Sequence, residues 1–427
     1  MKRSLSILLL LLLSQTAVQA AVWETKHQWD DAWEERFSQW VSTGLTQDIF
    51  MNGKYGGIKH DCADSAYFTR LIFAYENGLP FVILDPRFRS YKKEKVQIMM
   101  PKTGDMNSPY NVVTRMISSE MRFYDALEPE RRFRRFINLV GDVVGSNSLF
   151  NDTYPVQLDR RWFRPGVVAG LPRAPVHAGG PNPFFFEDNG PNGAAETAGH
   201  SQIVVGLDSN GVIRYLKSTV PAQLRLLQPT TLNIFVPHPR GGSFRYWKQP
   251  QHYKMRDEQI PGYGTEQYEI KGIFEDEVQK RFALTEETRD QKLGRLAGEV
   301  CSQVAQRVPV VNEAWQYKAT IGARCMDFKE FDSYSTPSRD GKIKKALGYL
   351  VTTATEQRIR DARDVGQVAK YLNQACGDIE YLPGKKISAA KFAERLLAGK
   401  VSADPNQNPA VRWGDQDEAA LGCQQFY

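Results

Sequence analysis

The placement of cysteine constrains the fold of this chain more than any other feature of its sequence. Five cysteines are present, and four of them lie in the last third, at Cys301, Cys325, Cys376 and Cys423. In an exported chain these four predict two disulfides, with three possible connectivities. The fifth, Cys62, lies alone near the N-terminus. The odd count makes Cys62 the expected free thiol.

The N-terminal segment predicts that the protein is exported. Lys2 and Arg3 precede an apolar run at 7–13 that is too short to span a bilayer, and Val18 and Ala20 suit signal peptidase. We therefore expect residues 1–20 to be a signal peptide that is cleaved after Ala20. No later stretch is apolar for long enough to form a membrane helix, so no stable membrane insertion is expected after cleavage. The expected location is a bacterial periplasm or the exterior of the cell.

Net charge and motif content argue against several classes of function. The formal net charge is +6, and loss of Lys2 and Arg3 with the signal would reduce it to +4. This mild excess predicts a solvated basic surface rather than a nucleic-acid site, and anionic envelope polymers stay compatible as partners. The sequence has neither a Gly-x-x-x-x-Gly-Lys phosphate loop nor a His-Glu-x-x-His zinc pair, and its histidines and cysteines lack metal-ligand spacing. We expect no metal and no cofactor.

Residues 21–240 are expected to form an α+β domain. The segment FVILD predicts a buried strand, and RPGVVAGL at 164–171 predicts another. The strongest hairpin pattern is HSQIVVGLDSNGVIRYLKST at 200–219, where two β-rich runs flank an Asp-Ser-Asn-Gly turn. Residues 88–160 are highly charged and are predicted to be a mostly helical insertion in this domain.

Residues 241–427 are expected to form a second, mostly helical domain that is linked by disulfides. The segment HPRGGSFRYWKQPQHYKM at 238–255 has the composition of a linker. Helical periodicity follows it, and Thr336 before Pro337 is typical of a helix start. The predicted helices cover 273–283, 285–307, 337–357, 362–375 and 389–399.

Cys62 is predicted to lie at the first position of a helix. Asp61 suits the N-cap, and an Asn-Gly pair after Glu76 predicts the end of the helix. A helix N-terminus stabilises a thiolate through its dipole and its free N–H groups, which predicts a nucleophile of lowered pKa. Asp61 and Asp64 oppose thiolate formation unless capping bonds turn them away. The alternative is a buried, inert cysteine.

A thiol nucleophile also needs a base, and histidine is the obvious candidate. His200 is the histidine that starts a convincing strand, from which an imidazole can be held against a helix terminus. His177 lies in a loop rich in glycine and proline, and His60 is too close in sequence to face the thiol. We predict His200 as the base, the alternative being an ordinary surface or core histidine. The six histidines are His27, His60, His177, His200, His238 and His252.

The motifs around these residues resemble a known family. A Tyr-Gly-Gly motif begins at Tyr55, an Asp-Cys pair ends at Cys62, and an apolar helix follows. This order resembles the N-terminal half of the NlpC/P60 family of papain-like cysteine peptidases. RPGVV resembles the Pro-Gly-Asp strand of that family, with valine in place of aspartate, and GHSQIVVGLDSNGVI is similar to its Gly-His hairpin. An Ala-Asp pair follows Cys62 where the family usually has Ser-Gly.

The resemblance implies a papain-like core, with the cysteine on an N-terminal helix and the histidine on an adjacent antiparallel sheet. By this resemblance Cys62 is the nucleophile, His200 is the base, and Tyr55 helps to position the oxyanion or the thiol. The family also has a polar residue on the next strand that orients the imidazole, and Ser218 is the candidate here. A serine hydroxyl can fix a tautomer, but it stabilises an imidazolium less than a carboxylate does.

The sequence therefore predicts an exported cysteine hydrolase. Cys62 would attack an amide carbonyl, His200 would transfer the proton, and water would hydrolyse the thioester. The resemblance implies a peptidoglycan stem peptide as the substrate. Two alternatives stay open: a transglutaminase-like or acyl transferase that uses the same thiol chemistry, and a non-catalytic envelope- or peptidoglycan-binding protein with a degenerate site.

Overall fold

The fold is a mixed α+β structure in which helices cover both faces of an antiparallel sheet. The computed structural model describes residues 21–84, 116–119, 127–172, 199–233, 235, 237–239, 242–419 and 421–426. The expected signal peptide lies outside these residues. The helices, numbered in chain order, are α1 (Asp31–Thr43), α2 (Cys62–Glu76), α3 (Pro129–Val143), α4 (Ser146–Asp152), α5 (Phe274–Phe282), α6 (Arg289–Ile321), α7 (Phe328–Tyr334), α8 (Pro337–Thr355), α9 (Val365–Ala375), α10 (Ala389–Leu397) and α11 (Pro409–Arg412).

Six strands form the main sheet, in the order β3-β8-β4-β5-β6-β7, and every neighbouring pair is antiparallel. Two further antiparallel pairs, β1 with β2 and β9 with β10, lie outside it. The strands are β1 (Val82–Leu84), β2 (Met116–Ser118), β3 (Thr153–Pro155), β4 (Val168–Leu171), β5 (His200–Leu207), β6 (Ile213–Lys217), β7 (Gln228–Thr230), β8 (Ser243–Trp247), β9 (Ile379–Leu382) and β10 (Lys385–Ile387).

Strands β5 and β6 form the predicted hairpin and define the two faces of the sheet. Ile203 pairs with Leu216, and Val204 pairs with Tyr215. Because side chains alternate along a strand, the first pair points to one face and the second pair to the other. Gly211 closes the turn with φ +80°, a left-handed conformation that favours glycine.

The first face of the sheet is covered by α1, α2 and α3. Phe37 of α1, Leu71 of α2 and Phe136 of α3 are buried in one apolar core with Ile203 and Leu216. This core fixes α2 against β5, the two elements that carry Cys62 and His200.

The second face is covered by the region that follows the sheet in sequence. Val204 and Tyr215 share a core with Phe244 of β8 and with Phe274 and Phe282 of α5. A third core joins α6, α8, α9 and α10, the helices of the C-terminal region. Its members include Leu296, Val300, Leu347, Leu372 and Phe392.

Two disulfides staple the C-terminal region. Cys301 bonds to Cys376, and Cys325 bonds to Cys423. The predicted pair of bridges is confirmed, and Cys62 is free, as expected. Disulfides are typical of a non-cytoplasmic, oxidising compartment. A separate finding is that none of the described helices has the length and apolar character needed to cross a membrane.

Several predicted elements are confirmed. The helix from Cys62 to Glu76 and the strand in FVILD are present, and the C-terminal helices lie close to their predicted bounds. Helix α6 is longer than predicted because it continues through Pro309 to Ile321. Proline removes one backbone hydrogen bond from a helix, but packing against α8 and α9 compensates for that loss here.

The linker predicted at 238–255 is wrong. Strand β8 lies in this segment, between β3 and β4 in the interior of the sheet, and all of its side chains are buried. Phe244 enters the core of the second face, while the guanidinium of Arg245 donates to the hydroxyl and the carbonyl oxygen of Thr153, at 2.8 and 2.7 Å. The main sheet therefore extends beyond residue 240.

The predicted helical insertion at 88–160 is described only in part, because 85–115 and 120–126 lie outside the described residues. Helices α3 and α4 agree with the prediction. Strands β2 and β3 were not predicted, and β3 is an edge strand of the main sheet. The end of this segment therefore belongs to the sheet that carries the candidate site.

Candidate functional site

The site begins at the N-terminus of α2, which is closed by a capping box. The Asp61 carboxylate accepts hydrogen bonds from the backbone N–H groups of Ala63 and Asp64, at 2.9 and 3.0 Å. The Asp64 side chain accepts in return from the N–H of Asp61, at 2.9 Å. These bonds satisfy the backbone N–H groups of Asp61, Ala63 and Asp64 and place Cys62 at the first position of α2.

The Cys62 thiol is held in its neutral form. The residue is only 4% exposed, and this burial raises the pKa of the thiol to about 12. The charges of Asp61 and Asp64 also raise this pKa, whereas the backbone N–H of Ser201 and the charge of Lys342 lower it. The lowered pKa expected from the helix N-terminus is not found, because burial and two capping carboxyls outweigh the helix dipole.

A direct contact joins the start of α2 to the start of β5. The hydroxyl of Ser201 donates a hydrogen bond to the carbonyl oxygen of Cys62, at 2.7 Å. Ser201 follows His200, the first residue of β5. The predicted approach of this strand end to the helix terminus is therefore present in the backbone.

The side chain of His200 points away from α2. Ser201 and Ile203 face α2, so strand alternation sends His200 to the second face, together with Gln202 and Val204. There the Nε2 atom of His200 lies 3.5 Å from the Nζ atom of Lys342 on α8.

The imidazole of His200 is neutral at physiological pH. Burial lowers its pKa well below the ordinary value, and the charges of Lys342, Lys217 and Arg339 lower it further. Among the described residues no hydrogen bond joins His200 to Cys62. The structure brings the backbones of the two residues together but does not pair their side chains.

Ser218 and Tyr55 do not contact the predicted pair either. Ser218 lies on the face of the sheet that α2 covers. Its hydroxyl donates a hydrogen bond to the carbonyl oxygen of His60, at 3.5 Å. The hydroxyl of Tyr55 bonds to the carboxylate of Glu76, the last residue of α2. A helix of this length spans about 20 Å. Tyr55 is therefore anchored at the far end of α2 from the thiol.

A group of cations lies on the second face of the sheet, and no motif in the sequence predicted it. Lys217 ends β6 and is 3% exposed, while Arg339 and Lys342 project from α8. All three act electrostatically on His200. Arg339 and Lys342 are three residues apart, so the sequence predicts that they lie on one side of a helix. That this side meets the end of β6 depends on the packing of α8.

Metal binding finds no support in the part of the chain that the structure describes. No group of three or more His, Cys, Asp or Glu side chains is arranged there to hold a metal ion.

Comparison with known proteins adds no assignment. No protein-family model matches the chain, and neither the curated proteins nor the solved structures contain a significant match. The likeness of the Cys62 and His200 segments to the NlpC/P60 family stays a prediction.

Proposed function

We propose that the protein is an exported cysteine hydrolase, periplasmic or secreted, which cleaves amide bonds in peptidoglycan stem peptides. In this proposal the helix α2 and the main sheet form a divergent papain-like core of the NlpC/P60 type. Cys62 is the nucleophile and His200 is the base.

The observation that carries the proposal is the contact between the start of α2 and the start of β5. The hydrogen bond from Ser201 to the carbonyl oxygen of Cys62 holds the thiol-bearing turn against the residue that follows His200. The backbone N–H of Ser201 also acts to lower the pKa of the Cys62 thiol. A donor beside a thiol at a helix N-terminus is suited to stabilise an oxyanion.

The protonation states favour general-base chemistry over a resting thiolate–imidazolium pair. The raised pKa of Cys62 keeps the thiol neutral, and the lowered pKa of His200 keeps the imidazole neutral. A neutral imidazole can accept the thiol proton as the sulfur attacks. This step requires a rearrangement at the start of β5 that carries the His200 side chain from Lys342 on the second face to Cys62 on the first.

The test is release of peptides from purified cell-wall sacculi, measured by mass spectrometry. We expect wild-type protein to release them, Cys62→Ser to release none, and His200→Gln to lose at least about 100-fold in rate, as for loss of a general base. Because the pKa of His200 is lowered, activity should persist below pH 6. His27→Gln, at an exposed histidine outside the site, should behave as wild type.

Equal release by wild type and Cys62→Ser would overturn the proposal. Transfer of the acyl group to added hydroxylamine or glycine ethyl ester without net hydrolysis would identify a transferase instead.

A second candidate function is non-catalytic binding to the cell wall. The burial of Cys62 and the separation of the His200 side chain from it favour this function, because an inert thiol needs no base. Sedimentation of the protein with sacculi, without release of any peptide and with the same affinity in Cys62→Ser, would support it.

A further inference from the structure

A cluster of cations lies between the second face of the main sheet and helix α8. Lys217 and Gln202 are register partners on β6 and β5, so their side chains leave the sheet on the same face as His200. Arg339 and Lys342 approach this face from α8, and Lys342 reaches within 3.5 Å of His200. We call Lys217, Arg339 and Lys342 the cation cluster.

Carboxylates act on the cation cluster: Asp340 and Glu313 act on Arg339, and Glu299 acts on Lys217. Asp340 is paired with Arg307, and Glu299 is also committed to other partners. Glu299 of α6 is the acidic residue that acts on Lys217. Its two oxygens accept from the hydroxyl of Thr230 at 2.6 Å, from the N–H of Thr231 at 2.9 Å and from the amide of Gln303 at 2.6 Å.

Within the described residues, neither Lys217 nor Arg339 forms an ion pair. The hydrogen-bond partner of Lys217 is the neutral amide oxygen of Gln303, at 3.3 Å. By contrast, Lys345, which lies one turn after Lys342 on α8, forms an ion pair with Glu275 at 2.8 Å. Burying an ammonium beside other cations is costly unless an anion joins them.

An unpaired acceptor lies on the same face. Gln202 is 1% exposed, and its amide NH₂ donates to the carbonyl oxygen of Leu232 at 3.1 Å. Its carbonyl oxygen is buried without a hydrogen-bond partner. A buried acceptor of this kind indicates a missing donor. His200, Arg339 and Lys342 are half-buried, so each of them keeps some contact with solvent.

We propose that the cation cluster binds a small organic carboxylate that carries an adjacent N–H group, as in an N-acylated amino acid or the C-terminus of a peptide. The carboxylate lies among Lys217, Arg339 and Lys342, and the N–H donates to the carbonyl oxygen of Gln202. Arginine and lysine supply charge-assisted hydrogen bonds to such a group. Binding requires no chemistry at Cys62.

Binding of the carboxylate is coupled to proton uptake by the protein. Burial and the charges of Lys342 and Arg339 lower the pKa of Lys217 well below the ordinary value, with Glu299 acting in the opposite direction. The pKa of His200 is likewise lowered by burial and by the neighbouring cations. A bound carboxylate raises both pKa values, so the complex takes up protons.

The test is isothermal titration calorimetry of the full chain with N-acetylglycine, in two buffers of different ionisation enthalpy. We expect saturable 1:1 binding with proton uptake. Lys217→Met and Lys342→Met should each weaken it by about tenfold or more, as for loss of a charged hydrogen-bond partner. Gln202→Met should reduce the affinity for N-acetylglycine to that for acetate, which has no N–H group.

Matched controls separate this site from other effects. Lys391→Met removes the same charge at a side chain that is 59% exposed on α10, and it should leave binding unchanged. N-acetylglycinamide, which lacks the carboxylate, should not bind. Cys62→Ser should bind as wild type even if it abolishes hydrolysis, so failure of the proposed hydrolase and failure of this site are distinguishable.

Three results would overturn the assignment: absence of saturable binding, unchanged affinity in folded Lys217→Met and Lys342→Met, or tighter binding of inorganic phosphate than of N-acetylglycine. Circular dichroism verifies that the variants fold. Lys342 is half-buried, so its variant tests the site even if Lys217→Met is unstable.

Discussion

At the scale of single residues, the surroundings of Cys62 are dominated by carboxyl groups. Asp61 and Asp64 cap α2, and both are largely buried. Burial and the charge of Asp61 raise the pKa of Asp64 to about 8. At neutral pH Asp64 therefore keeps its proton, which limits the negative charge next to the thiol. The capping box therefore stabilises the helix and adds little negative charge beside the Cys62 thiol at neutral pH.

The raised pKa of Asp64 predicts a loss of stability at alkaline pH. Since the folded-state pKa lies above the unfolded value near 3.8, the folded chain binds the extra proton between these values. This contribution is complete below the unfolded value and is lost as pH rises through about 8. Asp64→Asn keeps the capping acceptor but cannot ionise. Its stability relative to wild type should therefore rise by about 1 kcal/mol or more between pH 5 and pH 9.

Urea unfolding at both pH values measures this difference. Asp378→Asn, at an exposed position, provides the control and should track wild type. A stability difference between Asp64→Asn and wild type that stays constant with pH would contradict the prediction.

At the scale of elements, a buried ion pair fixes α1 and α2 to the main sheet. Arg70 of α2 donates two hydrogen bonds of 2.7 Å to Glu34 of α1. Glu34 also accepts from the hydroxyl of Tyr246 on β8 and from the amide of Gln249, each at 2.9 Å. Burial alone would raise the pKa of Glu34, but Arg70, Gln249 and the charge of Arg164 lower it below the ordinary value. The Glu34 carboxylate therefore links α1 to α2, to β8 and to the segment that follows β8.

Removing Arg70 should therefore destabilise the fold strongly. Arg70→Met leaves the Glu34 charge buried without its cation, which typically costs about 3–5 kcal/mol. Arg363→Met removes an arginine that is 90% exposed and paired at the surface, so it should cost less than about 1 kcal/mol. Urea unfolding measures both values. A cost for Arg70→Met as small as that for Arg363→Met would mean that the buried pair contributes little.

At the scale of the whole molecule, the two halves of the chain are held by different means. The N-terminal half contains one free cysteine and contributes to two apolar cores, one on each face of the sheet. The C-terminal helices share a third core and carry both disulfides, whose cysteines are 75 and 98 residues apart in sequence. A bridge across such a long segment restricts the unfolded chain strongly.

Loss of the Cys325–Cys423 bridge should lower the free energy of unfolding by about 4.7 kcal/mol, according to the loop-entropy model. The double variant Cys325→Ala/Cys423→Ala tests this in non-reducing urea, with Cys62→Ala as the control that keeps both bridges. Thiol titration of wild type in denaturant without reductant should detect one thiol, that of Cys62. Five thiols would contradict both bridges, and no thiol would mean that Cys62 is paired.

Features set by neighbouring residues were predictable from the sequence. Asp61 before Cys62 determines where α2 starts, because a carboxylate satisfies the free N–H groups of the first turn. The Asp-Ser-Asn-Gly turn determines the β5–β6 hairpin. The turn requires a left-handed backbone conformation at position 211, which glycine adopts without steric cost. The odd number of cysteines, four of them in the last third of the chain, indicated that Cys62 is the free thiol. Each of these features depends on contacts within a few residues or on composition.

Only the tertiary structure decided what surrounds the thiol and the imidazole. Whether His200 faces α2 depends on the side of β5 on which that helix packs. A shift of one residue in the register of β5 would move the His200 side chain to the opposite face. The pKa of Cys62 depends on burial, which no local pattern reports. Strand β8 resembled a linker because its pairing partners are distant in sequence. The contact between Lys217 and α8 could not be predicted either. The charges of Lys217, Arg339 and Lys342 can be read from the sequence, but their proximity depends on how α8 packs on the sheet.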